Sequence, residues 1–340
     1  MLAEHGNGQF SVSVILTTIV AIVMISGTLI KRPTMRRCPA SITFVVAAAC
    51  VTLVSAGRVA HAQAWVADQG KLEVSLGYNL GVSDEVVVDK GEDAANAGST
   101  THELTLAAEY VPLQHLAVDV ALPFELLKYT GDKNAFPHPG GGRYDDGSLH
   151  STLTDLRVGA RYQVLEDIVA LTPMVAVSIP VASYETVGNT VAGRHLKALH
   201  LGLALGHIFG ESTYVQAVYQ YSIVEKYDRT MDTGKYGQNR SDFNATVGHK
   251  LLDQRLDIHI DAIGRVTHDG INFSDFTALP ADDQLYHDPI LKERILLVGG
   301  GVGYQLTEDL GINAGAHLFV TGANTQNANV YDFGITWTAL

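Results

Sequence analysis

The chain has little cysteine, little charge and, beyond its first 62 residues, no long apolar run. Both cysteines, Cys38 and Cys50, lie in those first 62 residues, so the remainder has no disulfide, thiolate nucleophile or cysteine metal site. After residue 62 no segment approaches the roughly 18 apolar residues that a membrane-spanning helix requires. These absences exclude an all-helical membrane protein and a disulfide scaffold.

Basic residues are scarce as well. The 340 residues include 23 Lys and Arg against 36 Asp and Glu, a net charge of −13. Without residues 1–62, 18 basic and 35 acidic residues remain, a net charge of −17. Nucleic-acid binding depends on Lys and Arg contacts to phosphates, so we expect no nucleic-acid partner.

The N-terminus has the composition of a targeting sequence. Residues 35–62 begin with a basic stretch, continue with apolar residues and end in an Ala-His-Ala motif at 60–62, which is the layout of a cleaved signal peptide. A second apolar run at 10–30 would be a transmembrane helix if it were translated. We expect instead that translation starts at Met35, that residues 1–34 are an over-extended start, and that 63–340 is the exported domain.

From Lys71 to Leu340 the chain repeats a unit of about ten residues in which apolar and polar side chains alternate. Side chains on a β-strand point alternately to opposite faces, so each unit has one apolar and one polar surface. About twelve such strands are predicted, at 71–81, 101–111, 116–126, 152–163, 168–180, 197–208, 213–225, 241–251, 255–266, 293–305, 310–321 and 328–338.

The connections between these strands alternate between short and long. The short ones are at 112–115, 165–167, 210–212, 252–254 and 307–309, and the long ones are rich in Gly, Asp, Asn, Pro and Ser. A soluble sandwich can show the same strand alternation. Together with the secretion signal, the regular connections favour an all-β, antiparallel transmembrane β-barrel of the outer membrane, with short periplasmic turns and long outer loops.

In such a barrel the apolar face contacts lipid and the polar face lines the lumen. An excess of acidic over basic lining residues predicts a mildly cation-favouring lumen. A twelve-stranded barrel is intermediate in width, so both a narrow pore and a lumen closed by an ion-pair network of Asp155, Arg157 and Arg161 fit the sequence. Only about eight residues precede the first strand, which predicts no separate plug domain. The predicted lumen-lining residues are Glu73, Glu103, Glu109, Asp119, Asp155, Arg157, Arg161, Lys250, Asp257, Asp261, Arg265 and Asp332.

Catalytic and metal chemistry have weak support in the sequence. One predicted loop contains the pairs Asp282–Asp283 and His287–Asp288, and outer-membrane proteases use acidic pairs and an Asp–His pair in such loops. Residues that are adjacent in sequence do not by themselves build a catalytic relay, which needs groups brought together in space. The acidic loops match no defined calcium-loop spacing. Gly299–Gly303 superficially resembles a phosphate-binding loop, yet no helical periodicity follows it. We therefore expect no catalytic residues, metal or cofactor.

One stretch carries a family resemblance. Residues 153–162 read Leu-Thr-Asp-Leu-Arg-Val-Gly-Ala-Arg-Tyr, and after a tight turn residues 175–180 read Val-Ala-Val-Ser-Ile-Pro. This resembles the outer-membrane family named for the MetA pathway of phenol degradation, in which an Asp-x-x-x-Gly-x-(Arg/Lys)-Tyr strand precedes a strand that ends in a Leu-Pro corner. Residues 120–123, Val-Ala-Leu-Pro, resemble a second such corner. The chain departs from the pattern after Pro180, where relatives commonly have Thr-Gly.

The resemblance implies a transporter-like outer-membrane barrel. The expected function is passive passage of small solutes. One alternative is a closed barrel whose outer loops bind a ligand or partner, and a second is a surface-loop hydrolase. The expected partners are outer-membrane lipid and lipopolysaccharide, small solutes, and the barrel assembly machinery during biogenesis.

Overall fold

The computed structural model describes residues 64–89, 91, 93–94, 97–131, 144–184, 186–228, 236–276, 279 and 286–339. The predicted signal peptide, the over-extended start and both cysteines lie outside the described residues, as do Asp282 and Asp283. No helix in the described ranges is long and apolar enough to cross a membrane.

Twelve long strands run through the described chain, and each begins and ends within three residues of its predicted bounds. They are β1 (Leu72–Ser83), β2 (Ser99–Leu113), β3 (Leu116–Tyr129), β4 (Asp155–Tyr162), β5 (Ala170–Pro180), β6 (Ala198–Phe209), β7 (Thr213–Val224), β8 (Arg240–Leu251), β9 (Leu256–Thr267), β10 (Arg294–Gln305), β11 (Leu310–Ala323) and β12 (Asn329–Ala339).

The strands close into a barrel. Each pairs antiparallel with its neighbours along the chain. The last strand pairs with the first, so that Leu72 lies opposite Ala339 and Val82 opposite Asn329. Closure pairs the backbone groups of every strand inside the protein, as a sheet in lipid requires. The predicted fold class, an antiparallel barrel of twelve strands, is confirmed.

Short elements decorate the end of the barrel that carries the long connections. His150–Leu153 extends the sheet beside β3. Val86–Val87, Asp93–Ala94 and Thr325–Gln326 form a separate small sheet. Two single-turn helices, α1 (Phe273–Phe276) and α2 (His287–Ile290), lie between β9 and β10.

The two faces of the barrel wall have opposite chemistry. On β6 the leucines at 199, 201, 203 and 205 are 38–45% exposed, whereas His200 and Ala204 between them are buried. The same alternation holds on β9, where Ile258 and Ile260 are exposed and Asp261 is buried. Since the side-chain period is two, this pattern places the apolar residues outside and the polar residues inside along each strand.

Aromatic side chains mark the end of the barrel that carries the short turns. Tyr110, Tyr162, Tyr304 and Trp337 lie at or near the turn ends of their strands and are 38–51% exposed. Aromatic rings at this level are typical of a membrane–water interface. The Tyr78 ring lies apart from this group, in the middle of β1.

Candidate functional site

Two cavities in the described part of the barrel interior are lined by predicted residues. The loop-end cavity, about 230 Å³, lies near the long connections and is lined by Glu103, Asp155, Arg157 and Arg265 among the predicted residues. The turn-end cavity, about 430 Å³, lies near the short turns and is lined by Glu73, Glu109, Arg161, Lys250 and Asp257. The strand phase places Asp119, Asp261 and Asp332 on the same interior face.

Two arginines of β4 are held by acids of the neighbouring strands. Arg161 donates to Glu109 at 2.7 Å, and Arg157 donates to Asp119 at 3.1 Å. Asp155, Arg157 and Arg161, which the sequence allowed as one ion-pair network, therefore each have a different partner. Asp155 accepts a hydrogen bond from the Tyr184 hydroxyl at 2.5 Å. Burial, with the Asp155 charge beside it, raises the pKa of Tyr184, so its hydroxyl stays a donor.

The residues that precede β1 enter the turn-end half of the lumen. Ala64 is fully buried, and its carbonyl accepts a hydrogen bond from the Thr172 hydroxyl of β5 at 2.7 Å. The Val66 backbone N–H donates to the Gln163 side chain at 2.9 Å, and the Trp65 ring lies edge-on to Tyr214 with centroids 6.5 Å apart. No plug domain was predicted, and these few residues nevertheless occupy interior space.

Acids and histidines alternate along the interior face of β9. His259 Nδ1 lies 2.8 Å from Asp257, and its Nε2 lies 3.5 Å from Asp261. Asp261 also accepts from Thr246 at 2.7 Å and lies 3.1 Å from His317 Nε2 on β11. Within the described ranges no group of three or more His, Cys, Asp or Glu side chains is arranged to hold a metal ion.

Glycines of β10 make room for these rings. Val298 and Val302 are exposed, so Gly299 and Gly301 face inward. A Cβ at Gly301 would lie 2.8 Å from His259 Nε2, and one at Gly299 would lie 2.7 Å from the His317 ring. The glycine-rich stretch is therefore a thin barrel wall over which two imidazoles lie, and it has no phosphate-loop geometry.

One wall of the loop-end cavity is acidic. Glu103, Glu125 and Asp155 come from the adjacent strands β2, β3 and β4, and all three line this cavity. Glu103 accepts hydrogen bonds from Thr105 at 2.7 Å and Asn79 at 3.1 Å. Glu125 is 2% exposed, and its Oε2 has no hydrogen-bond partner in the described part of the chain.

The opposite wall is basic. Arg265 donates to Asp242 at 2.7 Å and lies 3.5 Å from Glu293. Arg194 donates to Glu293 at 3.0 Å, and Arg240 Nε lies 3.5 Å from Asp242. Burial alone would raise the pKa of Glu293, but the Arg265 and Arg194 guanidiniums hold it below its usual range. Three arginines therefore share two carboxylates, which leaves this wall positive.

The connection between β5 and β6 crosses the interior as an inward segment, residues 186–196. The Asn189 and Thr190 backbone N–H groups donate to Asp145 at 2.8 and 3.0 Å. The Gln326 side chain, from the connection between β11 and β12, donates to the Asn189 carbonyl at 3.2 Å. These anchors come from connections on different sides of the barrel, so the inward segment spans the mouth. Burial raises the pKa of Asp145 despite these hydrogen bonds.

The inward-facing positions of the twelve strands carry ten acidic and five basic residues in the described ranges. Prediction from the sequence missed Glu125, Arg240 and Asp242 on the strands, and Arg194 and Glu293 on the connections. Glu125 lies inside the predicted strand 116–126 and follows Asp119 at even spacing, so the alternation alone would have identified it. No local pattern identifies Arg194 or Glu293, because connections have no fixed phase.

A solved structure shows a related fold. The COG4313 outer membrane channel from Pseudomonas putida F1 has a TM-score of 0.64 at 14% identity, covering 81% of this chain and 97% of that one. The translocator domain of the autotransporter NalP from Neisseria meningitidis has a TM-score of 0.46 at 10% identity over 79% and 88%. The beta domain of the Bordetella autotransporter BrkA has a TM-score of 0.46 at 10% identity over 80% and 100%. Only the first score is high enough to bear on the fold.

No curated protein matches the chain. A family model described as "Putative MetA-pathway of phenol degradation" matches residues 94–331, which include ten of the twelve strands, β2 to β11, in full. The resemblance inferred from residues 153–162 and 175–180 is thereby confirmed, and the chain belongs to this family.

Proposed function

We propose that this protein is an outer-membrane channel that lets small solutes diffuse through its lumen, with a mild preference for cations. The single observation that carries the proposal is the opposite chemistry of the two faces of one closed sheet. The outer face is apolar and exposed, whereas the inner face is polar with ten acidic and five basic residues in the described strands. A water-filled lumen with excess negative charge attracts cations and repels anions.

The fold match supports the channel reading, because the matched Pseudomonas protein is named an outer membrane channel. The exterior face would contact outer-membrane lipid and lipopolysaccharide, and the barrel assembly machinery would insert the protein. In this proposal the twelve predicted lining residues together set the charge of the lumen. Asp257 and Asp261 are the proposed selectivity residues, because both lie on one strand and face the interior.

Conductance in a planar bilayer tests this proposal. The protein, expressed as the full chain and purified in detergent, is inserted with a KCl gradient across the membrane. We expect stable current steps and a reversal potential of the sign that marks cation preference. Asp257→Asn with Asp261→Asn should move that potential towards zero, whereas Asp253→Asn, in an exposed turn, should not. An unchanged potential in the double variant would remove these two residues from the mechanism.

A second candidate function is a closed barrel whose outer loops bind a ligand or partner. It is favoured by the inward segment, which spans the mouth, and by Ala64 and Trp65, which lie in the lumen. Correctly folded protein that inserts into the bilayer and stays silent would reject the channel and support this candidate.

We do not propose catalysis. His150, which precedes Ser151 in the sequence, is held by Asp146 at 2.9 Å and stacks on Tyr144 with centroids 4.7 Å apart. The ring is thus tied to a loop carboxylate. The acidic pair Asp282–Asp283 lies outside the described residues.

A further inference from the structure

The loop-end cavity has charge of opposite sign on opposite walls. The strands β2, β3 and β4 supply Glu103, Glu125 and Asp155, and the strands β8 and β9 supply Arg240 and Arg265. In a barrel of twelve strands β9 lies six strands from β3, which is directly across the lumen. An electric field therefore runs across this cavity rather than along the pore.

Two buried acceptors at the cavity have no hydrogen-bond partner in the ranges that the structure describes. They are Glu125 Oε2 and Asn189 Oδ1, in residues that are 2% and 7% exposed. The orientation of the Asn189 amide follows from its own contact, since its Nδ2 donates to Asp145 at 3.2 Å. Burying such atoms without partners is unfavourable, which is why they indicate a missing donor.

An unsatisfied cation lies on the other side. Arg240 lines the same cavity, its Nε has no hydrogen bond to any described residue, and its ion-pair contact to Asp242 is a long 3.5 Å. A guanidinium presents several donors in a planar fork that fits a carboxylate. The basic wall can therefore take an anionic group without first losing a strong ion pair of Arg240.

We propose that the loop-end cavity binds a small dipolar solute that carries both a primary ammonium and a carboxylate. The ammonium, with three N–H donors, meets the acceptors of Glu125 and Asn189, and the carboxylate meets Arg240. The volume of about 230 Å³ suffices, since a cavity of about 150 Å³ binds benzene. This inference rests on the proposed channel, because it names the class of solute that the channel passes.

Calorimetric titration of the purified full-chain protein in detergent micelles tests the inference. The probes are 4-aminobutyrate, butyrate and butylammonium, which carry both charges, only the negative charge and only the positive charge. We expect saturable binding of 4-aminobutyrate that is at least about tenfold tighter than that of either singly charged probe. Comparable weak binding of all three probes, or none, would overturn the inference without any variant.

Variants assign the two ends. Glu125→Gln should weaken the binding of 4-aminobutyrate and butylammonium by about ten- to a hundredfold and leave the binding of butyrate unchanged. Arg240→Gln should weaken the binding of 4-aminobutyrate and butyrate by a similar factor and leave the binding of butylammonium unchanged. Glu308→Gln, in an exposed turn, is the matched control and should change nothing. Heat-dependent gel mobility shows which variants fold, and if neither does, the probe comparison on the unaltered protein decides. A silent bilayer rejects the channel alone, and null calorimetry with a conducting bilayer rejects this inference alone.

Discussion

Placing one arginine on the exterior face should destabilise the barrel by an amount that depends on depth. Ile260 is 65% exposed and is the fifth of twelve residues in β9. With a rise of about 3.4 Å per residue and a strand tilt of about 40°, it lies about 10 Å along the membrane normal from the start of the strand. The apolar band is about 25 Å tall, so Ile260 lies near its middle.

Ile260→Arg should therefore lower the free energy of unfolding by about 2–4 kcal/mol, the cost of an arginine near the bilayer midplane. That is a loss of roughly thirty- to seven-hundredfold in the folding equilibrium constant. Ile168→Arg is the matched control, because Ile168 is 77% exposed but lies in the short turn before β5. Near the interface the same change costs only about 0–1 kcal/mol.

The assay is reversible denaturant unfolding in phospholipid vesicles, followed by the fluorescence of Trp65 and Trp337, the two tryptophans of the chain. The free energy of unfolding of each variant is compared with that of the unaltered protein, and the prediction concerns the difference between the two variants. Equal effects, within about 0.5 kcal/mol, would refute the reasoning, because a water-exposed isoleucine tolerates arginine at either position.

Three further changes probe the interior, each by the same unfolding measurement. Arg265→Met should lower the free energy of unfolding by about 3–5 kcal/mol, because Arg265 is 4% exposed and its loss leaves Asp242 and Glu293 buried without their main cation. The control Arg255→Met, at an exposed position, should change that free energy by no more than about 0.5 kcal/mol. A similar loss of stability in both variants would contradict this explanation. The depressed pKa of Glu293 means that its ionised form stabilises the fold above its ordinary pKa of 4.5, so the free energy of unfolding should fall as the pH drops below that value. Glu293→Gln should therefore reduce this loss of stability at acid pH. An unchanged dependence on pH would exclude Glu293 as a cause of the acid destabilisation. Gly301→Ala should lower the free energy of unfolding by about 1–3 kcal/mol, because the new Cβ would lie 2.8 Å from His259 and from the Ala314 carbonyl. Gly303→Ala, whose Cβ would have its nearest contact at 3.6 Å, should leave stability almost unchanged. A larger loss in Gly303→Ala than in Gly301→Ala would show that the His259 ring does not pack on this wall.

The strands and their faces could be predicted from the sequence because both follow from local rules. A period of two assigns each side chain to one face without knowledge of its neighbours, and short turns between alternating segments leave only antiparallel pairing. Hence Glu73, Asp257 and Asp261 are on the predicted face. Where a misplaced strand bound made the prediction incomplete, as for Arg240, the strand start had been placed one residue too late.

The sequence alone therefore determined that this chain forms a twelve-stranded barrel with an apolar outside and an acid-rich inside. Only the tertiary structure decided which charges meet and what enters the lumen. Arg194 and Glu293 are 99 residues apart, and Asn189 and Gln326 are 137 apart. The physical reason is closure: it brings connections from all sides of the sheet to one mouth, and the contacts made there have no counterpart in any local pattern of the sequence.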